Sequence, residues 1–141
     1  MQGPIVVGVD GSDTASKAAA RAAALATALG VDLHVVCAYG RNEVTEVVGA
    51  GSDRWVLSTA DDAEGVAKRD ADQLRTPDLN VVAASAKGSP AAALVDVATR
   101  LDASIIVVGN KRVQGISRIL GSIARDVAQH APCDVLIAKT V

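Results

Sequence analysis

Two segments of the chain carry residue types that suit a small anionic or polar ligand. In the first segment, Asp10, Gly11 and Ser12 follow the apolar stretch 5–9. A carboxylate at the end of a buried strand is costly unless it is hydrogen-bonded. Asp10 therefore either binds the amides of the following turn, as Asp commonly does in turns, or meets a hydroxyl or amine group of a ligand.

The second segment combines glycine, basic side chains and the start of a helix. Residues 109–112 read Gly-Asn-Lys-Arg, and Gly121 and Ser122 open a later helix. From Gly109 to Arg125 there are four basic residues and no acidic one. A helix N-terminus offers unpaired amides and the positive end of a dipole, which suit a phosphate. Alternatively, Gly121 and Ser122 only cap a helix, and the basic side chains form a solvated face.

Other reactive side chains fit no known catalytic or metal-binding motif. The GxxxxGK[ST], GxGxxG, GxSxG and HExxH patterns do not occur. His34 lies in a strand pattern, and His130 lies near a helix end that favours a positive charge. Cys37 and Cys133 form no CxxC pair, so we expect two reduced, mostly buried thiols. No two carboxylates are placed for acid-base chemistry. An enzyme such as a slow ATPase or nucleotidyl transferase is the least favoured function, because the HIGH and SGG motifs of nucleotide-handling proteins with related folds do not occur.

The elements that position these residues alternate between short Val- and Ile-rich runs and Ala-rich stretches of helical period. This alternation is typical of a parallel sheet covered by helices on both faces. The apolar runs predict five strands, at residues 5–10, 32–39, 79–84, 104–109 and 134–139. Four helices follow the first four strands, the second of them spanning residues 59–74, and residues 40–53 are expected to form a long loop.

Capping residues mark the ends of the predicted helices. Ser12 or Asp13 can cap the first helix, and Gly30 supplies its left-handed end. Ser89 followed by Pro90 predicts the start of the third helix. The apolar face of the first helix is expected to contain Ala18, Ala22, Leu25 and Leu29.

Composition limits the function classes. The 141 residues are 50% apolar and 21% charged, with a net charge of -2 and no Phe. Such a chain can bury a sizeable core as one domain, and its charge does not suit a nucleic-acid-coating protein. No apolar run approaches the roughly 20 residues needed to span a bilayer, and the residues after Met1 lack the positive region of a signal peptide. We therefore expect a soluble, cytoplasmic protein with neither a nucleic-acid nor a membrane partner.

In their order and spacing, four motifs resemble the universal stress protein family. They are the strand end at 9–12, the glycine-containing loop after 107–111, the helix start at 120–122 and the final stretch 130–139. The resemblance covers the whole chain. It implies an α/β fold, a Rossmann-like three-layer sandwich with a five-stranded parallel sheet in the order 3-2-1-4-5 and four helices. It also implies a homodimer formed through the last strands and, in many members, ATP binding.

The resemblance assigns roles at matching positions. Asp10 corresponds to the acid near the adenine or ribose, Ala38 to a residue that packs near the adenine, and Val108 and Gly109 to a pair that lines the nucleotide. The helix start at 121–123 corresponds to the turn that holds phosphates. The candidate binding residues are Asp10, Gly11, Ser12, Ala38, Val108, Gly109, Asn110, Lys111, Arg112, Gly121, Ser122 and Ile123.

One residue departs from the family's ATP-binding pattern of Gly, two residues, Gly, about nine residues, then Gly and Ser or Thr. Arg112 stands at the second Gly, and the spacer is one residue shorter. A Cβ can block the close approach that Gly allows, or Arg112 can turn outward or contact a phosphate. The sequence thus predicts a dimeric module that binds ATP or another adenine nucleotide without catalysis. The alternative is a dimeric interaction protein of the same fold that binds no nucleotide.

Overall fold

The structure is a computed structural model that describes residues 2–40, 59–110 and 121–141. Strands and helices alternate along these ranges. They are β1 (Ile5–Gly8), α1 (Asp13–Leu29), β2 (Leu33–Tyr39), α2 (Ala60–Leu74), β3 (Val81–Lys87), α3 (Pro90–Leu101), β4 (Ile105–Gly109), α4 (Ser122–His130) and β5 (Asp134–Ala138). The strands form one parallel sheet in the order β3-β2-β1-β4-β5. The predicted fold class, strand order and helix number are confirmed.

The core lies on both faces of this sheet because successive strand residues point to opposite sides. Ile5 and Val7 of β1 belong to the apolar cluster under α1 and α2, and Val6 belongs to the cluster under α3 and α4. All three side chains are fully buried. The continuous apolar run that predicted β1 is therefore explained by helices on both sides of the strand.

Small side chains let the helices pack close to the sheet. The buried residues of α1 are Ala18, Ala19, Ala22 and Ala26. Leu29, expected on this apolar face, is 39% exposed at the last position of α1. The chain turns away immediately after it, since Gly30 ends the helix with φ 70°.

Three of the four helices begin with a side chain that accepts a hydrogen bond from a backbone amide of the first turn. These capping residues are Ser12, Thr59 and Ser89. By contrast, α4 begins at Gly121, which provides no side-chain cap. The predicted caps at Ser12 and Ser89 are confirmed, and the start of α4 has a different chemistry from the other three.

Every strand differs from its predicted bounds by at least one residue, and β1 and β3 differ most. β1 ends at Gly8, although Val9 still donates its amide to the carbonyl of Val36 at 2.9 Å. β3 begins two residues later than predicted and continues to Lys87, because seven residues pair in register with β2.

Some expectations lie outside the described residues. These are most of the loop predicted over 40–53 and the basic residues Lys111 and Arg112. Within the described ranges, no helix is long and apolar enough to cross a membrane.

Candidate functional site

The described candidate residues gather at the edge of the sheet where the parallel strands end. Residues 10–12 lie just after β1, and Ala38 lies near the end of β2. Val108 and Gly109 are the last residues of β4, and Asn110 follows them. The chain runs from β1 to β2 on one side and places β4 on the other, so the strand order reverses between β1 and β4. A crevice at such a reversal is the usual ligand site of open parallel sheets.

Asp10 organises the turn between β1 and α1. Its Oδ1 atom accepts hydrogen bonds from the amide of Ser12 at 2.9 Å and from the hydroxyl of Ser12 at 2.6 Å. The same hydroxyl oxygen accepts from the amide of Ala15 at 3.2 Å and so caps α1. Gly11 has a φ of 89°, a conformation that side chains with a Cβ rarely adopt. The turn-binding role predicted for Asp10 is thus present, and the residue is also exposed at this edge of the sheet.

Small apolar residues lie beside this turn. Val108 is 4% exposed and belongs to the cluster under α3 and α4, against which Ala38 packs. Ala38 is only half-buried. Ala38 and Val108 thus lie on the same face of the sheet, on the two strands that flank β1.

The end of β4 contacts the residues that follow β5. A Cβ on Gly109 would lie 3.3 Å from Oγ1 of Thr140, tighter than ordinary contact. The side-chain oxygen of Asn110 accepts from the amide of Thr140 at 2.7 Å, from its hydroxyl at 3.1 Å and from the amide of Val141 at 3.2 Å. Sequence reasoning missed Thr140. The available signal was the parallel pairing of β4 with β5, which places Gly109 beside Ala138.

The start of α4 presents backbone amides without a side-chain cap. Gly121 is the N-cap residue in extended conformation, and Ser122 and Ile123 are both exposed. Because α4 follows β4 and leads into β5, its N-terminus lies toward the carboxyl edge of the sheet. Its amides and the Ser122 hydroxyl can therefore donate to an anion.

A buried thiol and a buried carboxylate lie behind the β1 turn. Cys37 is 1% exposed, and burial, followed by the charges of Asp10 and Asp70, raises its pKa to about 12. Asp70 of α2 is 8% exposed and accepts a hydrogen bond from the hydroxyl of Ser16 in α1 at 2.9 Å. Because the thiolate is the reactive form, Cys37 is a packing residue, as expected from the sequence.

The two histidines, His34 and His130, lie outside the candidate site. Burial lowers the pKa of His34 in β2, against the opposing charge of Asp32. Nδ1 of His130 lies 3.0 Å from the carbonyl oxygen of Asp126, so it donates its proton to that carbonyl. No three His, Cys, Asp or Glu side chains of the described residues come together as metal ligands.

Comparison with known proteins identifies the family. The model of the universal stress protein family matches residues 1–139. The chain belongs to the universal stress protein family. Among curated members, a universal stress protein of Mycobacterium tuberculosis is 31% identical over 140 residues, which is 98% of this chain and 46% of that protein. The chain thus spans about half the length of the curated relatives it matches over its full extent.

Two similar solved structures are universal stress proteins in complex with a nucleotide. A universal stress protein in complex with cAMP has a TM-score of 0.72 and 28% identity, covering 99% of this chain and 98% of that one. A universal stress protein from Archaeoglobus fulgidus in complex with dAMP has a TM-score of 0.65 and 27% identity, covering 95% of each chain. Both ligands contain adenine.

Proposed function

We propose that residues 1–141 form one universal stress protein domain that binds an adenine nucleotide, with ATP as the ligand, and acts as a regulatory module in the stress response without catalysis. The observation that carries this proposal is the similarity to two family members solved with cAMP and with dAMP. The arrangement at the carboxyl edge of the sheet supports it. We also propose a cytoplasmic location, where the ligand is available and where the two free cysteines stay reduced.

The proposed site divides the nucleotide between two surfaces. The adenosine lies beside the Asp10 turn, at the ends of the flanking strands β2 and β4 where Ala38 and Val108 stand. The phosphates lie at the N-terminus of α4, where Gly121 offers no side chain that competes for the amides. Binding an anion there is favoured by the unpaired amides and by the helix dipole.

The test compares two Ser→Ala variants at helix starts by calorimetric titration with ATP. Ser122→Ala removes an exposed hydroxyl that caps no amide, so we expect ATP affinity to fall about tenfold or more and stability to change little. Ser89→Ala is the matched control, because the Ser89 hydroxyl accepts from the amide of Ala92 at 3.3 Å. Its loss should cost about 1 kcal/mol of stability and leave ATP affinity unchanged. Equal affinity in both variants would refute phosphate binding at α4.

Arg112 supports a second candidate function, an interaction protein that binds no nucleotide. It stands where the family's ATP-binding pattern has Gly, and a side chain there can block close approach of a ligand. Titrating ATP into the parent and into Arg112→Gly separates the two candidates. If the parent does not bind ATP at millimolar concentration and Arg112→Gly does, the second candidate is supported.

We propose in addition that the protein forms a homodimer through β5. This strand lies at one end of the sheet order, and Leu136 and Ile137 are each 37% exposed. These neighbouring residues point to opposite faces, so both sides of the strand carry exposed apolar surface. An uncovered apolar edge strand favours pairing with a second chain.

A further inference from the structure

One side-chain oxygen connects the end of β4 to the residues beyond β5. The amide oxygen of Asn110 accepts three hydrogen bonds, from the amide and hydroxyl of Thr140 and from the amide of Val141. Thr140 is 6% exposed. We call Asn110, Thr140 and Val141, with these three bonds, the Asn110 clasp.

The clasp is built into the parallel pairing of the last two strands. Gly109 pairs with Ala138, so the chains leave the sheet side by side and Asn110 comes within reach of Thr140. Gly109 allows this approach, because a Cβ there would press on the Thr140 hydroxyl at 3.3 Å. Gly109, a residue of the proposed nucleotide site, is therefore in contact with the clasp.

We propose that Asn110 is a positioning residue that fixes the end of β4, and with it Val108 and Gly109, for binding the adenosine part of the ligand. Thr140 contributes to affinity through Asn110. This inference rests on the proposed adenine-nucleotide function and assigns Asn110 a role other than direct contact with phosphate.

The chemistry of an amide fits this role. Thr140 is buried, so its amide and hydroxyl need an acceptor inside the protein, and leaving either unpaired is costly. A carboxylate would accept the same bonds but would add a negative charge at the proposed site of an anionic nucleotide. Asn supplies the acceptor without the charge.

A double-mutant cycle with ATP and adenosine tests the inference. Asn110→Ala removes the acceptor, and Thr140→Val removes one hydroxyl at nearly constant volume. We expect a loss of affinity of about fivefold or more for Asn110→Ala and about three- to tenfold for Thr140→Val, the scale of a single hydrogen bond. In the Asn110→Ala background, Thr140→Val should add less than about twofold, because residues that act as a unit are non-additive.

Two matched variants serve as controls. Thr140→Ser keeps the hydroxyl and should bind within about twofold of the parent, the deviation expected when no hydrogen bond is lost. Thr99→Val removes an exposed hydroxyl of α3 that donates to the carbonyl of Val95 at 2.8 Å, and it should leave affinity unchanged. The losses should be equal for ATP and adenosine, because the clasp acts on the surface that binds the base.

Amide hydrogen exchange without ligand reports the clasp independently of nucleotide binding. The amides of Thr140 and Val141 should exchange slowly in the parent and rapidly in Asn110→Ala; slow exchange in that variant would refute the clasp.

Unchanged affinity in Asn110→Ala, or independent effects of Asn110→Ala and Thr140→Val, would overturn the positioning role while the proposed function stands. A loss for ATP alone would make Asn110 a direct phosphate ligand. A parent that binds neither ligand would refute the proposed function and, with it, the role in binding. If Asn110→Ala does not fold, the Thr140→Val and Thr140→Ser pair decides by its difference in affinity.

Discussion

Gly8 at the end of β1 is the position where one added methyl group should disturb the packing beneath the site. A Cβ there would lie 2.9 Å from Cδ1 and 3.2 Å from Cδ2 of Leu94. Leu94 of α3 is 4% exposed, so its side chain cannot move into solvent. Overpacking of this kind costs about 1 to 3 kcal/mol, while the lower entropy of the unfolded chain returns about 0.4 to 1 kcal/mol. We expect Gly8→Ala to lower the free energy of unfolding by about 1.3 kcal/mol, the difference between the midpoints of these two ranges.

Urea denaturation should compare the free energy of unfolding of Gly8→Ala with that of a control variant, Gly65→Ala. Gly65 lies within α2 and has no atom within 4 Å of an added Cβ. The same substitution should therefore stabilise the protein there by about 0.5 to 1 kcal/mol. In a Leu94→Val background, which shortens the clashing side chain, Gly8→Ala should become nearly neutral. A Gly8→Ala variant as stable as Gly65→Ala, or an equal loss in both backgrounds, would show that the contact between β1 and α3 is wrong.

Three further predictions concern the thiol, the edge strand and the carboxylate. Because burial raises the pKa of Cys37 from 9.0 to about 12, the unfolded chain loses this proton first. Stability should fall as the pH rises from about 9 towards 12, by up to about 1.4 kcal/mol per pH unit, and urea denaturation should show that this part of the dependence is present in the parent and absent in Cys37→Ala. Leu136→Glu should dissociate the dimer in sedimentation equilibrium, whereas Leu29→Glu, at a similarly exposed leucine on α1, should not; a parent that is monomeric at high micromolar concentration would refute the proposed assembly. Asp10→Ala should weaken ATP binding in calorimetric titration about tenfold or more at a cost of about 1 kcal/mol of stability; unchanged affinity with a loss of several kcal/mol would assign the carboxylate to the turn alone.

The sheet and its helices were predictable from local signals. The apolar run at β1 and the capping pair Ser89–Pro90 depend on neighbours in the sequence, so they can be recognised without a structure. The apolar residue Leu79 predicts a start of β3 that is two residues too early. In the structure, Leu79 instead forms an isolated antiparallel bridge with Thr76. Pairing with β2 determines where β3 begins and ends, and the sequence of β3 alone does not contain that information.

The site was predictable in its position but not in its connections. The Asp10 turn forms its hydrogen bonds within a few residues, so its chemistry follows from the local sequence. The bond from Ser16 to Asp70 joins residues 54 apart, and the bonds from Thr140 to Asn110 join residues 30 apart. Such contacts depend on how helices and strands are placed in three dimensions. For this reason the clasp became visible only in the structure.

Chemical-shift mapping of the isotope-labelled protein during an ATP titration tests the central claim most directly. If an adenine nucleotide binds at the carboxyl ends of β1 and β4, the amide resonances of residues 10–12, 108–110 and 121–123 should shift together with one dissociation constant. The amide resonances of residues 101–104, at the opposite edge of the sheet, should not shift. No shifts at millimolar ATP, or shifts confined to the opposite edge, would contradict nucleotide binding at this site.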